Sequence, residues 1–181
     1  GSHHSLNTAG KMLQQFLRCA IVCMIGISCM GIAHAQFEKT PWASKQKTPS
    51  FLFKDSESIE YKTENLRGKK IVLNFWATWC APCKEELPSL QIFSDFQNPN
   101  EVMVITINVK EPVSRAQRFM KNNQISLPLV SDMQGEWAQK FGVKVFPTTL
   151  LIDSKGQVQW RITGEVDWTS AASQSWVNSL P

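Results

Sequence analysis

The chain has 181 residues, 43% of them hydrophobic and 19% charged, with a formal net charge of +4 at pH 7. A chain of this length and composition predicts one globular domain with a sizeable core. Its basic residues are scattered rather than clustered, which argues against nucleic acid as a partner.

The first 35 residues have the pattern of a secretory signal. Lys11 and Arg18 precede an uncharged stretch over residues 19–33, and the segment ends in Ala-His-Ala. We interpret residues 1–35 as a tag remnant, GSHHS, followed by a signal peptide cleaved after Ala35, which predicts a periplasmic location. The alternative is an uncleaved membrane anchor with the rest of the chain facing the periplasm, although a spanning helix needs about 20 apolar residues.

The cysteine and histidine content of the remaining chain excludes several chemistries. Beyond residue 35 the sequence contains two cysteines, Cys80 and Cys83, and no histidine. A structural zinc site needs four nitrogen or sulfur ligands, which this set cannot supply. Activation of a serine or cysteine nucleophile by histidine is excluded in the same way. We therefore predict neither a metal nor a cofactor.

The predicted elements begin after a linker. The stretch QFEKTPWASKQKTPS is polar, rich in lysine and contains two prolines, so residues 36–48 are predicted to be a linker and residues 49–181 the domain. FLFKDSESIEYKTENLRGKK alternates weakly and predicts a short hairpin. The apolar run IVLNFWA, residues 71–77, predicts a buried central strand. A helix is expected to begin at the cysteines and to continue through KEELPSLQIFSDF, kinked at Pro88.

The second half of the domain alternates strands and helices. EVMVITINV and LPLVSD predict strands, and SRAQRFMKNNQ and EWAQKFGV predict helices. TTLLID and VQWRITG flank the turn SKGQ and predict an antiparallel hairpin, and DWTSAASQSWVNSL predicts a closing helix. This order predicts an α/β sandwich with a mixed central sheet. The cysteines would lie at the carboxyl end of the first central strand, where open α/β sheets place their sites.

Cys80-Ala81-Pro82-Cys83 is a CxxC motif whose sulfurs can meet across one helical turn and form a reversible disulfide. A helix N-terminus favours a thiolate, so we predict Cys80 as the nucleophile and Cys83 as the resolving thiol. Pro82 suits the first helical turn, where its missing N–H costs little. The alternative is an inert staple, which would stabilise weakly because the loop is so short.

Resolution of a mixed disulfide requires Cys83 to lose its proton, and no histidine is available to accept it. Glu86 lies three residues after Cys83 on the same helical face, so we predict it as a desolvated carboxyl group with a raised pKa. Glu85 is rotated away and is expected to be solvated. The alternative for Glu86 is an exposed helical residue without a role.

A second feature is the segment VFPTT, residues 145–149, in which Pro147 precedes an apolar strand. Central strands seldom admit proline, whereas a cis bond between Phe146 and Pro147 would allow it and would expose the backbone of Phe146 to an incoming peptide. X–Pro bonds are cis only about 5% of the time in folded proteins, so the sequence leaves this geometry open. We predict substrate contacts at four residues near the cysteines: Trp79, Pro82, Phe146 and Pro147. Trp76 is as well explained by core packing.

Together, these segments resemble the thioredoxin superfamily, and within it the secreted TlpA/ResA-like branch. NFWATWCAPCKEELP is similar to the active-site segment of that branch, and GVKVFPTTLLID to its cis-proline segment. The resemblance spans residues 49–181 and implies a thioredoxin-like three-layer sandwich. It also implies Cys80 as nucleophile, Cys83 as resolving thiol, Glu86 as the active-site acid and Pro147 in cis. Phe146 is a departure, because a smaller residue often precedes this proline.

The predicted function is a monomeric periplasmic oxidoreductase that reduces disulfides of exported proteins, with cytochrome c maturation as a candidate setting. Its expected partners are protein thiols and disulfides and an upstream membrane electron donor. One alternative is a thiol oxidase or isomerase, which a cation near the motif would favour and Ala81-Pro82 does not provide. Another is a copper-binding carrier, for which methionines are the remaining soft ligands, at Met103, Met120 and Met133.

Overall fold

A mixed β-sheet forms the centre of residues 36–181, the part of the chain that the computed structural model describes. The predicted signal peptide and its cleavage after Ala35 lie outside the described residues. Eight strands occur in the described part: β1 Phe37–Pro41, β2 Leu52–Lys54, β3 Glu60–Lys62, β4 Lys70–Trp76, β5 Val102–Val109, β6 Leu129–Asp132, β7 Thr148–Ile152 and β8 Val158–Gly164. Six of them form the central sheet in the order β1-β8-β7-β4-β5-β6, and β2 pairs with β3 in a separate hairpin.

The sheet is parallel on one side of β4 and antiparallel on the other. β5 pairs with β4 and with β6 in parallel, whereas β7 pairs with β4, and β8 with β7, in antiparallel fashion. β4 and β5 are near-continuous apolar runs, as expected of strands that are covered on both faces. The prediction of a mixed sheet and of a closing hairpin, β7–β8, is therefore confirmed.

The helices of residues 36–181 are α1 Thr63–Leu66, α2 Ala81–Asp95, α3 Val113–Asn122, α4 Glu136–Lys140 and α5 Ala171–Asn178. Pro88 lies inside α2, and the helix continues past it. Within the described residues, no helix is long and apolar enough to cross a membrane.

Alternate residues of β4 face two separate cores. Val72 and Trp76 belong to a cluster that contains apolar residues of α2, α3 and α5. Leu73 and Phe75 belong to a second cluster, with residues of α1, α4 and the β2–β3 hairpin. Because side chains alternate along a strand, the sheet separates the two cores and the fold has three layers. Asn74 has the parity of Val72 and Trp76, so its side chain lies on the α2 side.

The prediction of a linker over residues 36–48 is wrong at its start, because β1 occupies the edge of the central sheet beside β8. Phe37 packs edge-on against Trp176 with ring centroids 5.2 Å apart, and the Lys39 ammonium lies 3.2 Å from the Trp160 ring centroid. Pro41 is tolerated at the end of an edge strand. The polar composition hid these contacts, since the lysine acts through a cation–π interaction with residues far along the chain.

Gly164 explains how closely β1 can approach β8. It adopts a φ of 96°, and a Cβ atom there would lie 2.2 Å from the backbone oxygen of Gln36. Only glycine combines this left-handed conformation with this contact. The residue is therefore required by the strand that the linker prediction missed.

Candidate active site

The cysteine pair lies where β4 leads into α2. Cys80 is the N-cap of α2, and its Sγ accepts a hydrogen bond of 3.3 Å from the backbone N–H of Cys83. The two residues form a disulfide with their Cα atoms 5.3 Å apart. Cys80 retains 6% of its surface accessible and Cys83 none. An attacking thiolate can therefore reach Cys80 more readily than Cys83.

Glu86 lies one helical turn after Cys83 and is 2% exposed. Its Oε1 accepts a hydrogen bond of 2.7 Å from Nδ2 of Asn74, and its Oε2 accepts one of 2.8 Å from the backbone N–H of Val166. The exposed alternative for this residue is therefore wrong, because the carboxyl group is enclosed between α2, β4 and the segment after β8.

Desolvation raises the pKa of Glu86 to about 8, from an ordinary value of 4.5. The hydrogen bonds from Val166 and Asn74 act in the opposite direction, and the negative charge of Glu165 adds to the rise. The indole N–H of Trp168 also favours the carboxylate, but it makes no hydrogen bond of normal geometry, so its contribution is that of a nearby dipole. At neutral pH, Glu86 therefore carries a proton most of the time and can exchange it.

Asn74 and Thr149 orient this carboxyl group. They are register partners on β4 and β7, and Nδ2 of Asn74 also donates to Oγ1 of Thr149 over 2.9 Å. Both side chains are buried. Thr149, the partner of Asn74, and Val166, the partner of Glu86, carry no signal of these contacts in the sequence, because each lies on a strand or loop far along the chain.

A second buried carboxyl group, also missed from the sequence, holds the loop in front of Cys80. Glu111 is 2% exposed and lies between β5 and α3. Its Oε1 accepts hydrogen bonds from the backbone N–H of Thr78, over 2.6 Å, and from Nδ2 of Asn108, over 2.9 Å. Its Oε2 accepts a hydrogen bond from the Thr78 hydroxyl.

The pKa of Glu111 is lowered although the group is buried. Burial acts to raise this pKa, but the hydrogen bonds from Thr78 and Asn108 and the nearby charge of Arg115 outweigh it. Arg115 Nη1 lies 3.9 Å from Oε2. Glu111 is consequently ionised at neutral pH. The sequence offered only a polar turn here, Lys-Glu-Pro, which looks like a solvated connection.

Three of the four predicted substrate contacts, Pro82, Phe146 and Pro147, line a cleft of about 460 Å³ beside the CxxC motif, together with Ala81. Trp79 is 66% exposed and meets Phe146 edge-on, with ring centroids 5.7 Å apart. The peptide bond between Phe146 and Pro147 is cis, as predicted. Trp76, by contrast, is fully buried and belongs to the core.

Two carboxylates lie at the margin of the same cleft. Glu85 is exposed, as predicted, and Glu165 is partly buried. The pKa of Glu165 is raised, first by desolvation and then by the charge of Glu85. The cleft therefore has an apolar floor and an acidic margin.

The structure offers little to the copper-carrier alternative. Met120 packs in the core on the α2 side of the sheet, whereas Met103 packs against the core on the other side. The two sulfur atoms therefore face away from each other across the sheet. In residues 36–181, no cluster of three or more His, Cys, Asp or Glu side chains is placed to hold a metal ion.

Solved structures similar to this one define the class of protein. StoA from Bacillus subtilis matches with a TM-score of 0.63 and 30% sequence identity, over 71% of this chain and 96% of that one. A DsbF homologue from Corynebacterium diphtheriae matches with a TM-score of 0.67 at 24% identity, over 82% and 96% of the two chains. The fold is thioredoxin-like, and a disulfide within a CxxC motif lies at its active-site position.

Sequence relatives narrow the class to a family. The Redoxin family model matches residues 43–177. The thiol-disulfide oxidoreductase ResA of Geobacillus thermodenitrificans is 32% identical over 157 residues, which cover 85% of this chain and 90% of that protein. The chain therefore belongs to the Redoxin family and is a ResA-like thiol–disulfide oxidoreductase. The resemblance and the enzyme class inferred from the sequence are confirmed.

Proposed function

We propose that the protein works as a reductant of disulfides in exported proteins, outside the cytoplasm. The observation that carries this proposal is the lack of positive charge around the disulfide: the CxxC interior, Ala81-Pro82, contributes no cation, and the buried groups on the adjoining helix and loop, Glu86 and Glu111, are acids. Strong oxidants of this class are oxidising because their reduced thiolate is stabilised. Without a cation the thiolate here lacks such stabilisation, which favours a low reduction potential.

The exchange reaction balances as two thiolate displacements. In the reduced protein, the Cys80 thiolate attacks one sulfur of a substrate disulfide. A mixed disulfide forms between Cys80 and that sulfur, and the other substrate sulfur is released as a thiolate. Cys83 then loses its proton, and its thiolate attacks Sγ of Cys80. The second substrate sulfur leaves as a thiolate, so the substrate has gained two electrons and the Cys80–Cys83 disulfide has formed.

Glu86 is suited to handle the proton of Cys83. Its raised pKa, about 8, makes it a far stronger base than an ordinary glutamate when it is ionised. It lies one turn from Cys83 on the same helix, and Asn74 and Val166 hold both of its oxygens in place. Because the described part contains no histidine, the buried carboxyl group supplies the proton acceptor that this step requires.

The cleft beside the disulfide is the proposed binding site for the substrate backbone. Phe146 and Pro147 form one side of it and Pro82 the other, with Trp79 exposed next to them. Oxidised apocytochrome c is the candidate substrate, and a membrane protein would restore the reduced state of the cysteine pair. The signal pattern of residues 1–35 supports a periplasmic location, and we propose a monomer.

The assigned cysteine roles can be tested with two variants. Cys80→Ser should abolish reduction of insulin disulfides, because the attacking thiolate is missing. Cys83→Ser should still form a mixed disulfide with substrate but should fail to release it. The two products separate on a non-reducing gel. Failure of Cys83→Ser to form any mixed disulfide would contradict this assignment.

The direction of the reaction is tested by the reduction potential of the pair. We expect a value nearer to the ~−270 mV of thioredoxin than to the ~−120 mV of DsbA. Equilibration with glutathione or dithiothreitol buffers measures it. A value above about −150 mV would instead support the oxidase or isomerase alternative.

The substrate proposal is tested with defined peptides and a trapping variant. Cys83→Ala should form a mixed disulfide with an oxidised peptide that contains the Cys-x-x-Cys-His sequence of c-type cytochromes, faster than with a peptide of the same length without histidine. Equal rates for the two peptides would remove cytochrome c as the favoured substrate and leave a general reductant.

A further inference from the structure

Glu111 is a buried, ionised side chain that takes no part in the exchange reaction described above. Lys110, directly before it, adopts a φ of 57°, a conformation that side-chain-bearing residues rarely take. This turn after β5 brings the carboxylate to Thr78, two residues before Cys80. Asn108 of β5 contributes a further hydrogen bond. These contacts bind the Glu111 carboxylate to the loop that carries Cys80, and they are suited to hold that loop in position.

We propose that Glu111 is a positioning residue that fixes the loop carrying Cys80 and whose negative charge shifts the Cys80–Cys83 equilibrium towards the disulfide. The proposal rests on the oxidoreductase class that the family membership shows. It does not depend on which substrate is reduced. It predicts a difference between variants of this protein, whereas the proposed direction depends on the absolute potential.

The positioning part follows from the contacts of the loop. Thr78 is held at two atoms, its backbone N–H and its hydroxyl, by the two oxygens of one carboxylate. Ala77 before it is fully buried, and Cys80 after it caps α2. Trp79, between these fixed points, is 66% exposed and touches Phe146 across the cleft. The Glu111 carboxylate therefore determines where the exposed indole stands beside the disulfide.

The charge part follows from proximity and from which redox form is charged. Two residues span at most about 7 Å, and Oε1 lies 2.6 Å from the Thr78 nitrogen, so the carboxylate is within roughly 10 Å of the Cys80 backbone. Reduction adds two electrons and leaves a thiolate at Cys80 once its proton is lost, whereas the disulfide is uncharged. A nearby negative charge therefore disfavours only the reduced side.

Other charged groups around the loop do not cancel this charge. Arg115 makes the nearest ion pair, at 3.9 Å, but its side chain is 63% exposed and solvent screens it. Lys84 on α2 and Lys110 beside Glu111 are exposed. Glu86, the remaining buried carboxyl group near the pair, is largely protonated at neutral pH because its pKa is raised to about 8. Two further acids, Glu85 and Glu165, lie at the margin of the cleft, where Glu85 is exposed and Glu165 is partly buried. Glu111 is thus the buried carboxylate that is ionised near the loop at that pH.

The first test compares Glu111→Gln with the wild-type protein in glutathione buffers. The variant should be about three- to tenfold easier to reduce, which corresponds to a potential about 15–30 mV higher. The apparent pKa of Cys80, read from thiolate absorbance, should fall in the same variant. Glu111→Asp keeps the charge and should recover most of the wild-type potential. Glu101→Gln, an exposed residue just before β5, should not change it.

A purely structural role makes a different prediction. Such a role would destabilise the oxidised and reduced forms equally and leave the potential unchanged. Under our proposal, denaturant unfolding of Glu111→Gln should show a larger loss in the oxidised form than in the reduced form. An unchanged potential, or one that falls, would overturn the electrostatic part.

Thr78→Val separates positioning from charge, because it removes the hydroxyl contact and keeps the carboxylate. We expect the KM for a disulfide peptide to rise about threefold and the backbone amides of residues 77–79 to exchange faster with solvent. Its potential should change by less than half as much as that of Glu111→Gln. Wild-type KM and exchange rates in Thr78→Val would overturn the positioning part.

Discussion

Glu86 and Glu111 are two buried carboxyl groups near one disulfide, and they ionise in opposite ways. Each is 2% exposed. Glu86 accepts one hydrogen bond on each oxygen and has a second acid, Glu165, nearby, and its pKa is raised to about 8. Glu111 accepts bonds from Thr78 and Asn108 and has Arg115 nearby, and its pKa is lowered. The difference lies in the balance at each site: desolvation outweighs the hydrogen bonds of Glu86, whereas the hydrogen bonds and the nearby positive charge outweigh the desolvation of Glu111.

The difference in pKa suits Glu86 and Glu111 to different tasks. A carboxyl group that titrates near neutral pH can accept and return a proton during catalysis. A carboxylate that stays ionised supplies a constant charge and a constant set of hydrogen bonds. Cys83, the proposed resolving cysteine, is one helical turn before Glu86, and Glu111 holds the loop of Cys80, the proposed nucleophile.

The largest expected effect is on the pH dependence of stability. The folded pKa of Glu86 is above its unfolded value, 4.5, so the folded state binds the extra proton between these values. The contribution of Glu86 to the free energy of unfolding should therefore be complete below about pH 4.5 and should be lost as the pH rises towards 8, by on the order of 3–5 kcal/mol. Glu86→Gln should remove this loss, which urea unfolding at several pH values measures.

The same measurement has an internal check. No histidine lies in residues 36–181, so few other groups titrate across this window. Glu101→Gln should reproduce the wild-type curve. A decline of the same size in Glu86→Gln would show that another group is responsible.

The next effect is the loss of stability in Glu111→Gln at pH 7. The amide can accept fewer hydrogen bonds than the carboxylate, so the donors of Thr78 and Asn108 lose partners in a buried position. We expect a loss of about 2–3 kcal/mol in the free energy of unfolding. Because the folded pKa of Glu111 is lowered, its contribution should be present above an unfolded value of 4.5 and lost in more acidic solution.

Unfolding measured in acidic solution therefore distinguishes Glu111→Gln from the wild-type protein. As the pH falls below the unfolded value of 4.5, the wild-type protein should lose stability that Glu111→Gln has already lost, so the two curves should converge. If the two curves of unfolding free energy against pH stay parallel in acidic solution, Glu111 is not the ionised one of the two buried glutamates.

Glu86→Gln should also slow the resolving step by about 10- to 100-fold, because the proton acceptor for Cys83 is removed. The same substitution has an opposite effect on the rate, since removal of the partial negative charge should lower the apparent pKa values of the cysteines. Single-turnover release from a mixed disulfide measures the resolving step, and thiolate absorbance against pH measures the cysteine pKa values. The cysteine and glutamate titrations are coupled, so the shifts belong to the set. Glu101→Gln should leave both curves unchanged.

The smallest expected effect is the loss of one hydrogen bond to Glu86. Asn74 lowers the pKa of Glu86 through its 2.7 Å bond to Oε1. Asn74→Ala should therefore raise the Glu86 pKa further, by about one unit, and extend the decline in stability to higher pH. A pKa that falls in this variant, through water entering the space, would show that desolvation depends on Asn74 more than its hydrogen bond does.

Local sequence was sufficient for the elements that form the site. The run IVLNFWA became β4, and the cysteines opened α2 with Cys80 as its cap. The spacing from Cys83 to Glu86 is one helical turn, so their common face followed from the period of the helix. The cis geometry before Pro147 was implied by the family resemblance, and the structure confirms it.

Two failures of the sequence reasoning have the same cause. The local sequence of β1 predicts a linker and that of Glu111 predicts a solvated turn, because the structure of both depends on partners distant in the chain. Lys39 lies over Trp160, and Glu111 bonds to Thr78, 33 residues earlier. A lysine or a glutamate in a polar stretch has the same local pattern whether or not such a partner exists.

Two cysteines at CxxC spacing, in a segment without histidine, were enough to predict thiol–disulfide exchange from the residues, with an inert staple and a copper carrier as the alternatives. The sequence also determined which helix face carries Glu86. Only the tertiary structure decided the charges of Glu86 and Glu111. A pKa depends on desolvation and on donors within a few ångströms, and the sheet brings those donors from β4, β7, the segment after β8 and the loop before Cys80.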